Sequence, residues 1–208
     1  MYPETINHQT KCVFEKIKDI PLLERFYLAG GTALAIEIGH RISVDLDFFS
    51  LQRFEREKLK KYLSQKGSMT LVSEDEGTLH CILDGVKLSF LEYPYKMLFE
   101  FVEFSGIKLA DERDIASMKI DAVSSRGSKK DFIDIYFLLK KYKLSEIIGC
   151  FEEKFSDIQY NTIHIYKSLV FFENADLEPM PVMIVPLDWE GVKKYITHEV
   201  MNMQEKSL

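Results

Sequence analysis

Between Phe26 and Ser50 the chain sets an aromatic and apolar run that ends in two glycines, then a helix-forming run, then two aspartates one residue apart. That order narrows the local fold to strand, turn, helix and strand. Phe26-Tyr27-Leu28-Ala29 suits a strand, Gly30-Gly31 a tight turn, and Thr32 caps the run Ala33-Leu34-Ala35-Ile36-Glu37-Ile38. In Ser43 to Phe49, Val44, Leu46 and Phe48 alternate with Ser43, Asp45, Asp47 and Phe49. A period of two predicts a strand with its carboxylates on one face.

Further along, a charged amphipathic helix is expected from Arg53 to Gln65. The dipeptide Asp84-Gly85, between the apolar runs Leu79 to Leu83 and Val86 to Leu91, predicts a hairpin, because a type I′ turn needs positive φ at both central residues. Beyond Gly106 the chain turns mainly helical. Asp111 is the expected cap of a helix carrying Ile115, Met118, Ala122 and Val123 on its apolar face. Gly127-Ser128 breaks it from a second helix, Lys129 to Lys141, and more helices are expected near Ser145 to Phe155, Asn161 to Phe172 and Asp188 to Met201. Pro179 to Pro186 reads as an extended connection. The fold class is thus α+β, with an α/β core over 1–105 and a helical domain over 106–208.

A net charge of -6 opposes general binding to duplex DNA, where phosphate neutralisation dominates. The N-terminus lacks a basic flank and an apolar run of signal type, and no stretch approaches the about 20 apolar residues a membrane span needs. The expectation is a soluble cytoplasmic protein with no membrane partner. Cys12, Cys81 and Cys150 are widely spaced and form no Cys-x-x-Cys pair, so reduced thiols are expected.

Two features carry chemistry. Gly30-Gly31-Thr32 stands where a helix N-terminus exposes N–H groups suited to an anion such as a triphosphate, although such a turn is also common without a ligand. Asp45 and Asp47 can share a hard cation, since magnesium takes one or two carboxylates together with substrate phosphates. A solvated strand face is the alternative. Phe48 and Phe49 follow directly and point to a buried strand end, where two unpaired carboxylates would repel and be costly to desolvate.

The pairing of Gly-Gly-Thr with Asp-x-Asp resembles the signature of DNA polymerase β-like nucleotidyltransferases. Over Phe26 to Ala35 and Gly39 to Ser50 the chain looks like the AbiEii/AbiGii toxin family of bacterial abortive-infection and toxin–antitoxin loci. Asp114 to Ala122, followed by Arg126-Gly127-Ser128-Lys129-Lys130-Asp131-Phe132-Ile133-Asp134, resembles that family's second signature. The resemblance implies a nucleotidyltransferase mixed-sheet core followed by a helical domain, with a cleft between them. It implies transfer of a nucleoside monophosphate from an NTP to an RNA, such as a tRNA end, or to a protein acceptor, with Mg²⁺ or Mn²⁺ at Asp45 and Asp47 and a cognate antitoxin as partner.

By analogy Gly30, Gly31, Thr32, Lys119 and Arg126 bind the nucleotide, while Asp131 or Asp134 completes the acidic site. Buried stem and reaching ammonium are expected of Lys119. A surface lysine and an exposed helix edge are the competing readings. Ser43, two residues before Asp45, is expected beside the metal, able to contact or transiently accept a phosphoryl group. A third carboxylate common to this superfamily is missing: the aligned position is Ser89, and Glu92 is the nearest acid on that strand. Two other readings stay open, a transferase acting on a small aminoglycoside and a non-catalytic nucleotide-binding module.

Overall fold

The computed structural model describes residues 1–205. The chain forms two compact units that divide after Asp111. The first holds α1 (His8–Ile17), β1 (Tyr27–Ala29), α2 (Gly30–Ile38), β2 (Leu46–Ser50), α3 (Arg56–Lys66), β3 (Met69–Asp75), β4 (Thr78–Leu83), β5 (Val86–Glu92), β6 (Val102–Phe104) and β7 (Ile107–Leu109). The strands make one seven-stranded sheet in the order β3-β4-β5-β2-β1-β7-β6. It is mixed: β2 runs parallel to β5 and β1 parallel to β7, while the other neighbours are antiparallel.

One face of the sheet is the core. Leu28, Leu46, Phe48, Leu79, Cys81, Leu83, Leu88 and Phe90 alternate onto it and are buried, with the Phe48 and Phe90 rings stacked at 5.2 Å. The expected hairpin is present, with Asp84 at φ 47 and Gly85 at φ 80, the two positive values a type I′ turn requires. The β6–β7 hairpin carries the sheet past the 105/106 boundary read from the sequence. Its strands are three residues each, too short for an alternation to show.

The strand expected over Ser43 to Phe49 begins only at Leu46. Ser43, Val44 and Asp45 form the connection from α2, and Val44 is exposed rather than buried. The connection is pinned elsewhere: the Ser43 N–H donates to the Thr5 carbonyl at 2.9 Å and the Thr10 hydroxyl to the Val44 carbonyl at 3.1 Å. Phe49, placed on the polar face by its position, is buried there against Tyr27, with ring centroids 5.9 Å apart.

The second unit contains α4 (Glu112–Ser125), α5 (Lys129–Leu139), α6 (Leu144–Lys154), α7 (Thr162–Leu169), α8 (Glu173–Asp176) and α9 (Trp189–Glu205). Ile115, Met118 and Val123 of α4 face inward as their spacing predicts. So does Asp114, fully buried against an equally buried Lys154 of α6, Nζ to Oδ1 2.8 Å. No helix among the described residues is long and apolar enough to cross a membrane.

Candidate active site

The first group of residues gathers where β1 passes into α2. Gly30 adopts φ +70, a left-handed conformation open to glycine, and it lets the backbone pass close to Asp47: a Cβ there would lie 3.2 Å from Asp47 Oδ2. A side chain on Gly31 would collide with Nη2 of Arg41 and sit 3.5 Å from Ser43 Oγ. Arg41, almost wholly buried, thus lies against the first turn of α2. The sequence reading left Arg41 out. Its signal was a lone charge inside an apolar stretch, between Gly39-His40 and Ile42.

Thr32 is not the cap of α2. The N-cap is Ala29, with no side-chain hydrogen bond to the first turn, and Thr32 stands third in the helix. Its hydroxyl bonds the Asp45 carbonyl and lies 2.8 Å from Ser43 Oγ. Thr32 therefore fixes the connection that carries Ser43 and Asp45. The first N–H groups of α2, left without a side-chain acceptor, are suited to an anion.

Asp45 and Asp47 are both half-buried. Neither carboxylate forms an ion pair or hydrogen bond with the protein among the described residues. Asp47 stands in register between Ala29 on β1 and Ser89 on β5. Ser89, the position aligned with the missing acid, is thus the direct neighbour of Asp47 on the same sheet face, with His80 of β4 next in the row. Glu92 pairs with Ser50, three positions on and of opposite parity, and reaches toward Arg53 instead. No group of three or more His, Cys, Asp or Glu that could hold a metal occurs among the described residues. Two oxygen-donor carboxylates two residues apart still fit a magnesium-type ion that takes its other ligands from phosphates and water.

The second group lies in the helical unit. The Lys119 ammonium is 2.8 Å from Asp131 Oδ1 and 2.6 Å from Asp134 Oδ2, and both aspartates are fully buried. Asp131 also accepts from Arg126, Nε at 2.7 Å and Nη2 at 3.0 Å, and from the Ser128 hydroxyl at 2.6 Å. Burial pushes the Asp131 carboxyl up, but Lys119 and Arg126 outweigh it and hold the group well below the usual carboxylate range. The surface-lysine and exposed-edge readings are thereby excluded. The Lys119 stem is buried, as expected, and its ammonium is held by two carboxylates.

An antiparallel β1–β2 pair with a parallel β5, a Gly-Gly helix start and an aspartate pair beside it define a nucleotidyltransferase fold. Solved structures agree. JHP933 of Helicobacter pylori superposes at a TM-score of 0.57 with 14% identity, covering 97% of this chain and 94% of that one. MenT4, a nucleotidyltransferase toxin of Mycobacterium tuberculosis H37Rv, gives 0.55 with 12% identity, over 92% of this chain and 83% of that one. The family model described as "Nucleotidyl transferase AbiEii toxin, Type IV TA system" matches residues 12–79. An uncharacterized protein of Aquifex aeolicus (strain VF5) is 36% identical over 92% of this chain and 94% of its own length. The chain belongs to the AbiEii nucleotidyltransferase toxin family.

Proposed function

We propose that this protein is a cytoplasmic, metal-dependent nucleotidyltransferase that moves a nucleoside monophosphate from an NTP onto an RNA, and that a cognate antitoxin restrains it. The observation that carries the proposal is the pair of half-buried, unpartnered carboxylates of Asp45 and Asp47 beside the open N-terminus of α2. Two half-buried oxygen-donor carboxylates two residues apart suit a divalent cation that takes its other ligands from phosphates and water. When bound, Mg²⁺ or Mn²⁺ supplies a Lewis acid for the phosphoryl oxygens.

The residues divide the remaining work. Gly30, Gly31 and Thr32 present the helix N-terminus to the triphosphate, and Arg41 beside Gly31 offsets its charge. The acceptor hydroxyl gives up its proton to solvent water and forms a bond to the α-phosphorus as the bond to pyrophosphate breaks. Ser43 is positioned by Thr32 to contact a phosphoryl oxygen. Lys119, Asp131 and Asp134 form a buried ion-pair set in the helical unit that holds the guanidinium of Arg126, through Asp131, at its surface.

Purified protein incubated with labelled NTPs and total cellular RNA plus protein should place label in RNA. Asp45→Asn and Asp47→Asn should each fold and lose more than about a hundredfold in turnover, which corresponds to about 2.7 kcal/mol of transition-state stabilisation. Near-wild-type turnover in either variant would overturn the metal site. A second reading, nucleotide binding without transfer, is favoured by Ser89 at the place of a third acid. Tight Mg·NTP binding with no label on RNA, protein or aminoglycoside would support it.

A further inference from the structure

A cavity of about 330 Å³ opens in the helical unit between the end of α4 and the face of α7, lined among others by Ser124, Arg126, His164, Lys167, Ser168 and Phe171. None of its lining residues is a carboxylate. In a chain of net charge -6 that is a local reversal of sign. Lys167 makes no ion pair among the described residues, unlike Lys60 and Lys193, which are held by acidic neighbours. The guanidinium of Arg126 is fixed on one side by Asp131, while 60% of its side chain remains exposed. Phe171 offers an aromatic ring that is 55% exposed.

The rest of the lining distinguishes a nucleotide from a bare anion. The Ser124 hydroxyl donates to the Ile120 carbonyl and that of Ser168 to the His164 carbonyl, which leaves both oxygens only the acceptor role, Ser168 Oγ lying 3.5 Å from His164 Nε2. The α4 and α7 helices both end here, and the partial negative charge of their C-termini suits hydroxyl and amino donors while it opposes a phosphate, which Arg126 and Lys167 offset. Two cations for a phosphate, acceptors for hydroxyl and amino donors, and an open ring for stacking together match one nucleotide, and the volume is at the lower end of the about 300 to 1,000 Å³ of small-ligand sites.

We propose that this cavity binds one nucleotide of the single-stranded RNA acceptor, its phosphodiester between Arg126 and Lys167 and its base on Phe171. The proposal rests on the reading of RNA as acceptor. Single-stranded rather than duplex nucleic acid follows from the exposed ring, since bases in a duplex already stack on each other.

Fluorescence anisotropy of a short labelled single-stranded RNA, with the full chain and without metal or NTP, tests it. Lys167→Ala and Phe171→Ala, both at exposed positions, should melt at the wild-type temperature. Each should weaken binding by about tenfold, and Lys167→Ala should also reduce the slope of log affinity against log salt by about 0.7. Wild-type affinity in both variants overturns the proposal. So does displacement of the RNA by ATP combined with Lys167-dependent binding of ATP alone, which would make the cavity a free-nucleotide site. Failure of the acceptor reading shows separately, as RNA that binds through Lys167 and Phe171 yet receives no label in the transfer assay.

Discussion

Burial decides the behaviour of the three thiols. Cys81 points into the core face of β4 and has no water around it, which pushes its thiol up to about 11. Cys12 is exposed on α1, and Cys150 is half-buried on α6 with its thiol raised by the same cause and by Asp114. Because the thiolate is the nucleophile, iodoacetamide at about pH 8 should alkylate Cys12 first, Cys150 slowly and Cys81 only after unfolding. Peptide mass spectrometry over time reads the order; early labelling of Cys81 would mean β4 opens readily. Reduced thiols were expected from spacing alone, but which of them reacts depends on which strand or helix face each occupies.

At the scale of elements, two joints hold the site and its unit in shape. Gly30 opens α2 in a left-handed conformation with Asp47 behind it. Gly30→Ala adds about 1 to 2 kcal/mol of backbone strain and crowds Asp47, so a lowered melting temperature and reduced turnover are expected together. Turnover that stays at wild type in a destabilised variant would separate Gly30 from the site. The second joint is Lys154–Asp114, which ties α6 to α4 inside the core. Burial lowers the Lys154 ammonium from its usual range, and Asp114 opposes that shift. Lys154→Met alone should cost about 3 to 5 kcal/mol in urea unfolding by taking the buried ammonium from Asp114, whereas pairing it with Asp114→Leu should recover much of the loss. Asp114 entered the sequence reading as the first residue of the second signature. The partners are forty positions apart in the chain, and no local pattern announces such a pair.

For the molecule as a whole, acid is the condition that exposes its dependence on buried charge. Asp131 titrates well below the about 3.9 of an unfolded aspartate. A carboxyl depressed on folding contributes stability that is fully present above the unfolded value and is lost as pH falls from there toward the folded one. Thermal unfolding followed from pH 7 down to about 3 should therefore show falling stability below about pH 4, and Asp131→Asn should be less stable at pH 7 with a flatter acid limb. An unchanged limb in that variant would assign acid sensitivity to other groups. The net charge of -6 predicts weak, salt-sensitive binding to duplex DNA at neutral pH, so the cationic cavity of the helical unit acts locally.

What the sequence determined by itself was local: the Asp84-Gly85 hairpin, the order of strand, glycines and helix around Gly30, the aspartate pair and the apolar faces of the later helices all depend on residues within one or two turns of each other. Ser89 was aligned with the missing acid, and the parallel register of β2 and β5 sets it beside Asp47. Only the tertiary structure decided that Ser43 to Asp45 are a connection anchored by Thr5, Thr10 and Thr32 rather than strand, that Arg41 packs on Gly31, and that Lys119, Asp131 and Asp134 are buried together. These depend on hydrogen bonds and ion pairs between segments distant in the chain, and burial, which sets their strength, is a property of the folded molecule and not of the order of residues along it.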